Sequence, residues 1–131
     1  MHKQNKYMKI SIITITYNSA KTVQRALDSV QNQHYSDIEH IIVDGASSDG
    51  TREIVEKYAA DHKNVRYISE PDKGIYNALN KGIQMATGDV IGFLHSDDML
   101  YSSDSIGKIA ASFENESVDV VYGDLQYCHG D

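Results

Sequence analysis

Proline occurs once in this 131-residue chain, and so does cysteine. With so little proline and no low-complexity stretch or internal repeat, the sequence does not read as disordered. Cys128 has no second cysteine to pair with, which points to a reducing, cytoplasmic setting. No apolar run approaches the ~18 residues that a membrane span needs. The opening MHKQNKYMK is basic, but no apolar stretch follows it, so it does not read as a secretory signal. Positive charge is also in short supply: 12 Lys and Arg face 19 Asp and Glu, for a formal net charge of -7. That balance argues against a nucleic-acid backbone or an anionic membrane surface as the main partner. It leaves open an anionic ligand held through a bound cation. Two phosphate-gripping loops are missing as well. Neither G-x-G-x-x-G nor G-x-x-x-x-G-K-[ST] occurs, which disfavours dinucleotide and P-loop chemistry.

What is present is a regular alternation. KISIITITY (9–17) is rich in isoleucine and threonine and reads as a strand. Asn18 and Ser19 supply turn and cap chemistry. A helix follows, with Val23, Ala26, Leu27 and Val30 on one stripe. IEHIIVD (38–44) is a second strand, and GASSDGT (45–51) a loop of small residues. The next helix carries Ile54, Val55, Tyr58 and Ala59 on one face. NVRYIS (64–69) is a third strand. A helix after Pro71 and Gly74 turns Ile75, Ala78, Leu79, Ile83 and Ala86 inward, with Gly88 as its C-terminal stop. DVIGFLH (89–95) is a fourth strand. A helix capped by Ser102 or Ser103 carries Ile106, Ile109, Ala110 and Phe113, and VDVVYGD (118–124) is a fifth strand. Strands alternating with helices of this length imply a mainly parallel sheet in an α/β/α three-layer sandwich, with strands covered on both faces. Residues 1–8 are expected to form a flexible leader, and 9–131 a single domain.

In open parallel sheets, ligands bind beyond the carboxyl ends of the strands, where strand order reverses. Strand one ends in Thr16, Tyr17 and Asn18, strand two in Asp44, and strand four in His95, Ser96, Asp97 and Asp98. Turn and cap chemistry accounts for Asp49 and Asp72, each just before a helix. It accounts less well for the Asp97–Asp98 pair. Two carboxylates about 4 Å apart repel by roughly 4 kcal/mol at an effective dielectric near 20. A divalent cation reverses that sign, and hard oxygen ligands suit Mg²⁺ or Mn²⁺ together with substrate phosphates. Tyr17 can stack on a base or sugar, or pack at a strand end. Asp44 can accept from a base or ribose, or brace the loop that follows. Lys73 can meet a diphosphate, or stay solvated. His95 and Asp97 can share a face, but a strand-end histidine bonded to backbone is the simpler reading. Gly92 within a strand suggests close approach by a neighbour.

Several blocks then match one family together. SIITITYNSAKTVQRALDSVQNQHY, IEHIIVDGASSDGT, EPDKGIYNALNKGIQMATGDVIGFLHSDD and VDVVYGD resemble the family 2 inverting glycosyltransferases of the GT-A fold. The blocks cover most of residues 8–124. The resemblance implies binding of a nucleotide-diphosphate sugar, a UDP-sugar for preference, and transfer of the sugar to a glycan or lipid-linked hydroxyl acceptor with inversion. It implies a donor site of Thr16, Tyr17, Asn18, Asp44, Lys73 and Asp97, with Tyr17 flanking the base and Asp44 hydrogen-bonded to it. Lys73 is placed near the ribose or phosphates. Asp98, with Asp97, stands where the family's metal motif stands and would hold Mg²⁺ or Mn²⁺. Serine at position 96 replaces the aspartate often found there. Family members continue well past this length into an acceptor half, so the general base is expected beyond residue 131, and these residues are expected to be the donor-binding half of a longer enzyme. Asp124 does not match the base motif and reads as a turn residue. The implied setting is cytoplasmic, or peripheral at a membrane through the missing part. A non-catalytic nucleotide-binding or assembly module is the competing reading. A phospho-acceptor signalling domain wants acidic residues at the end of strand one, where this chain has Thr16, Tyr17 and Asn18. A metal-dependent nucleotidyltransferase wants a basic glycine loop early in the chain.

Overall fold

The computed structural model describes residues 8–115. Within them the order is β1 (Ile10–Thr16), α1 (Val23–Gln31), β2 (Ile38–Asp44), α2 (Thr51–Asp61), β3 (Val65–Ser69), α3 (Ile75–Met85), β4 (Val90–Phe93) and α4 (Ser105–Asn115). Residues 1–7 of the expected leader 1–8, the Phe113 side chain, and the expected strand 118–124, with Asp124 and Cys128, lie outside the described residues. No helix among the described residues is long and apolar enough to cross a membrane.

The four strands form one parallel sheet in the order β3-β2-β1-β4. The chain steps outward from β1 to β3, then returns to the far side of β1. Right-handed connections put helices on one face for the outward steps and on the other face for the return. The packing shows that division. Val23 and Leu27 of α1 meet Ile42, Val55 and Tyr58 on one face. Ile106, Ile109 and Ala110 of α4 join the same side through Ile10, Ile12, Ala26 and Val30. On the opposite face α3 stands alone among the described helices, with Ala78 packed against Ile13, Ile41 and Val43.

Period-2 alternation explains which side chain goes where. The whole of β2 is buried, and β1 nearly so. The stripe expected on α1 is fully buried. Two expectations fail on the α3 side. Ile75 and Ile83 are 51% and 43% exposed, not inward. Nor is β4 covered on both faces, since Ile91 and Phe93 are exposed. The cause is where α3 lies. Gly82 brings it so close to β1 that a Cβ there would sit 2.6 Å from Ile13 Cγ2. The helix is centred over β1 and β2, and its flank and β4 are left open. Gly88 also has a different role from the one expected. The helix ends at Met85, with Ala86 as its cap residue. A Cβ on Gly88 would lie 2.7 Å from the Lys9 carbonyl oxygen and 2.8 Å from Ser11 N. Glycine is needed there for proximity to β1, not for a left-handed turn.

Two buried polar groups lock the layers. Glu39 accepts from Ser11 Oγ (2.8 Å), Thr87 N (2.9 Å) and Thr87 Oγ1 (3.0 Å), and pairs with Arg66 (2.9 Å). Burial alone would raise its carboxyl, but those bonds, from Thr87, Ser11 and Arg66, outweigh it and hold it at about 2. His40 lies fully buried between Thr14 Oγ1 and the Tyr58 hydroxyl, each at 2.8 Å. The Tyr58 hydroxyl donates to the Leu27 carbonyl (3.1 Å). His40 Nδ1–H therefore donates to Tyr58, and Nε2 accepts from Thr14. Burial drives His40 down to about 3 and keeps it neutral.

Acid should destabilise the chain through both groups. Unfolded His40 takes its proton near 6.5 and folded His40 only near about 3, so stability falls as pH drops through that window. Glu39 adds a loss between 4.5 and about 2. Urea midpoints measured from pH 7.5 down to 5 should decline, and the decline should flatten in His40→Gln. Separately, Gly82→Ala should cost about 1–3 kcal/mol by overpacking α3 on Ile13, read from the same denaturation curves.

Candidate functional site

Strand order reverses between β1 and β4, and the carboxyl ends of both strands open onto one edge. Thr16 and Asp44 are partners in the β1–β2 register, so the ends of these two strands are level. The Asp44 carboxylate is fully buried there. Its Oδ1 accepts from Thr16 Oγ1 and Ser47 Oγ, each at 2.6 Å. Its Oδ2 accepts from Ser69 Oγ at 2.8 Å and Ser47 N at 2.9 Å. Burial opposes the charge, but the Ser47, Thr16 and Ser69 bonds prevail and lower its pKa. One carboxylate thus ties the ends of β1, β2 and β3 to the loop after β2. The geometry displays the brace, and Asp44 presents no open oxygen to a ligand.

A second set of bonds zips the loop after β1 to the loop after β2. Asn18 N–H donates to Ser47 Oγ (2.8 Å), and Ser48 N–H donates to Asn18 Oδ1 (2.9 Å). Ser19 N–H donates to Thr51 Oγ1 (2.7 Å), and Ala20 N–H to Asp49 (3.2 Å). Asn18 (φ 47°) and Ala46 (φ 61°) both sit in the left-handed region, which costs a non-glycine residue strain. These bonds hold that strain in place and leave the Tyr17 ring standing out, 66% exposed.

The fourth strand reaches the same edge. Ser96 Oγ and Ser19 Oγ share a hydrogen bond of 3.0 Å, which pins the end of β4 beside the end of β1. Asp98 N–H donates to the His95 carbonyl (3.1 Å), turning the chain so that Asp97 is exposed and Asp98 half-buried. Arg25 Nη2 donates to the Asp97 carbonyl at 3.4 Å. Neither the Asp97 nor the Asp98 carboxylate is engaged by a hydrogen bond or ion pair among the described residues. That sets them apart from Asp44, Asp49 and Asp72, whose carboxylates all accept bonds. His95 is exposed, and no group of three or more His, Cys, Asp or Glu side chains gathers as a metal cage among the described residues. Two free hard-oxygen ligands suit an ion that completes its shell with water and phosphate oxygens.

A pocket of about 490 Å³ opens between these tips and α3, lined on its polar side by Tyr17, Ser19, Asp72, His95 and Ser96. Its floor is apolar, with Ile13, Ile15, Ala78 and Phe93. Lys73 is exposed just before α3. Its backbone N–H donates to Asn77 Oδ1 (3.0 Å), and its ammonium has no partner among the described residues. The structure therefore brings Thr16, Tyr17, Asn18, Asp44 and the Ser96–Asp97–Asp98 turn to one edge. The Ser19–Ser96 bond and Asp72 beside Tyr17 go beyond the sequence reading, while at Asp44 the structure shows the loop brace that was one of its two alternatives. Serine after a strand-end asparagine was the available signal for the first of these.

Residues 11–131 match glycosyl transferase family 2. A PGL/p-HBAD biosynthesis glycosyltransferase of Mycobacterium bovis is 39% identical over 117 residues, which are 88% of this chain and 46% of that protein. A glycosyltransferase of Nostoc sp. is 35% identical over 126 residues, 94% of this chain and 38% of that protein. The chain thus spans less than half the length of these relatives. Among solved structures, Staphylococcus aureus TarS 1-349 in complex with UDP-GlcNAc superposes with a TM-score of 0.76 at 30% identity, over 84% of this chain and 32% of that one. Mannosyltransferase PcManGT from Pyrobaculum calidifontis, in complex with GDP-Man and Mn²⁺, gives 0.72 at 28% identity, over 77% of this chain and 31% of that one.

The two kinds of aspartate should separate in stability measurements. Asp44→Ala strands buried donors and should cost about 2–4 kcal/mol. Asp98→Asn removes an unengaged charge beside another and should stay within about 0.5 kcal/mol of wild type, or gain stability. Chemical denaturation of the two variants checks both.

Proposed function

The chain belongs to glycosyl transferase family 2, and from that premise we propose that it binds a nucleotide-diphosphate sugar at the β1–β4 edge for metal-assisted transfer, with inversion, to a hydroxyl acceptor. The observation that carries this reading is the Ser19–Ser96 bond, which joins the turn bearing the unengaged Asp97 and Asp98 carboxylates to the end of β1 that bears the exposed Tyr17 ring. A nucleotide placed there stacks its base on Tyr17 and runs its diphosphate toward the tip of β4. Asn18 and Thr16 shape the wall on which it rests, and Asp44 keeps that wall rigid by bracing three strand ends. Lys73 adds an exposed positive charge on the α3 side.

Asp98, with Asp97, is the pair that would hold Mg²⁺ or Mn²⁺. When bound, such an ion neutralises the diphosphate and assists its departure. The chain's own part is to carry both carboxylates, unengaged, on a short turn fixed by the Asp98 N–H to His95 carbonyl bond and by the Arg25 side chain on the Asp97 carbonyl. Without a cation their mutual repulsion, added to a net charge of -7, disfavours a diphosphate. Binding is therefore expected to be metal-dependent. The donors seen with the solved neighbours, UDP-GlcNAc and GDP-Man, support a nucleotide-sugar ligand.

Residues 9–131 are proposed as a single donor-binding domain of a cytoplasmic enzyme, and the acceptor as a glycan or lipid-linked hydroxyl. The transfer step is assigned to the whole protein, with its general base outside the residues named here.

Calorimetry of the chain with UDP should show binding that strengthens at least tenfold when Mn²⁺ is added, and Asp98→Ala should lose that gain. A chain that ignores UDP whichever divalent ion is supplied sinks the proposal.

A further inference from the structure

Asp44 and Asp72 occupy one corner of the molecule, at the ends of β2 and β3. Ser69 Oγ bonds Asp44, and Glu70 N–H donates to the Asp44 carbonyl (2.9 Å), so the segment carrying Asp72 starts from the brace itself. Asp44 has no oxygen left over. Asp72 does. Its Oδ1 accepts from Gly74 N–H at 3.2 Å, and its Oδ2 has no hydrogen bond among the described residues. That free oxygen lies 2.8 Å from the point where a side chain on Gly45 would place its Cβ, and Tyr17 Cδ1 lies 3.5 Å from the same point. Gly45 does not have a positive φ, so glycine is required there for space and not for backbone conformation. The absent side chain lets the Asp72 carboxylate close over the β2 end beside the Tyr17 ring. Both side chains line the pocket.

We propose that Asp72, not Asp44, reads the base of the bound nucleotide, and that it selects bases with a ring N–H at that edge. The inference rests on the nucleotide-binding reading above and adds a specificity to it. A base stacked on Tyr17 brings its edge over Gly45 toward Asp72 Oδ2. An ionised carboxylate only accepts hydrogen bonds. Uracil N3–H and guanine N1–H can donate to it. Cytosine N3 and adenine N1 carry lone pairs and are repelled. A site built to pair with an N–H discriminates strongly against an analogue that lacks it.

Calorimetry of the chain with UDP, GDP, CDP and ADP, each with Mn²⁺, tests this. UDP or GDP should bind at least tenfold more tightly than CDP and ADP. Asp72→Asn keeps the bond to Gly74 through its carbonyl oxygen and puts an NH₂ donor where Oδ2 stood. It should weaken the favoured nucleotide about tenfold and narrow or invert its lead over CDP. Gly45→Ala should weaken it similarly, because the methyl displaces the carboxylate while Asp44 is unchanged. Asp72 lies on the connection between β3 and α3, and circular dichroism of Asp72→Asn checks that the variant is folded. Equal affinity for all four nucleotides overturns the assignment but leaves nucleotide binding standing, and so does an unchanged preference in Asp72→Asn. A discrimination that follows 2′-deoxy-UDP instead of the base moves the contact to the ribose and also overturns it. Failure of wild type to bind any nucleotide overturns both readings.

Discussion

The end of the sheet is organised by one carboxylate. Asp44 sits level with Thr16 in the β1–β2 register and takes hydrogen bonds from Thr16, Ser47 and Ser69. Three strand ends and a loop therefore share a single buried anion. Burial makes the charge expensive, and only a complete set of donors makes it tolerable. Everything beyond it, from the strained Asn18 and Ala46 to the protruding Tyr17, depends on that set being complete. The remaining acidic tips of the edge can then be left without partners, because they are not needed to hold the fold together.

Topology supplies the other half of the arrangement. Because β4 returns to the far side of β1, its acidic turn lands beside the end of the first strand. The same reversal sends α3 to the face opposite α1, α2 and α4. Gly82 and Gly88 then let α3 and the connection after it press against β1. At the other end of the sheet, Glu39 gathers Ser11, Thr87 and Arg66 and fixes that connection. Each end thus satisfies one buried carboxylate fully, and the end beyond Asp44 also carries two, Asp97 and Asp98, that no hydrogen bond or ion pair engages among the described residues.

Much of this was legible in the residues. The α1 stripe, the β2 run and the acidic tip of the fourth strand follow from period and position, because burial on a regular element repeats with that element. The α3 stripe was only half right. Period identifies an apolar face but not how much of it a neighbour will cover, and α3 is centred over β1 and β2. Gly88 was misassigned for a related reason. A glycine required for close approach looks, in sequence, the same as one required for a left-handed turn. The choice between brace and ligand contact at Asp44 was also undecidable from spacing, since two of its donors, Thr16 and Ser69, lie 28 and 25 positions away.

The β1–β4 pairing joins positions 80 apart in the chain, while β1 and β2 pair across 28. Closing the longer loop costs more chain entropy and has the shorter strand of the two to offset it. The wall around Tyr17 and Asp44 can thus assemble from local contacts early in folding, while the acidic turn is delivered only when the last described strand docks. Ligand affinity in this architecture doubles as a report on whether that final docking has taken place.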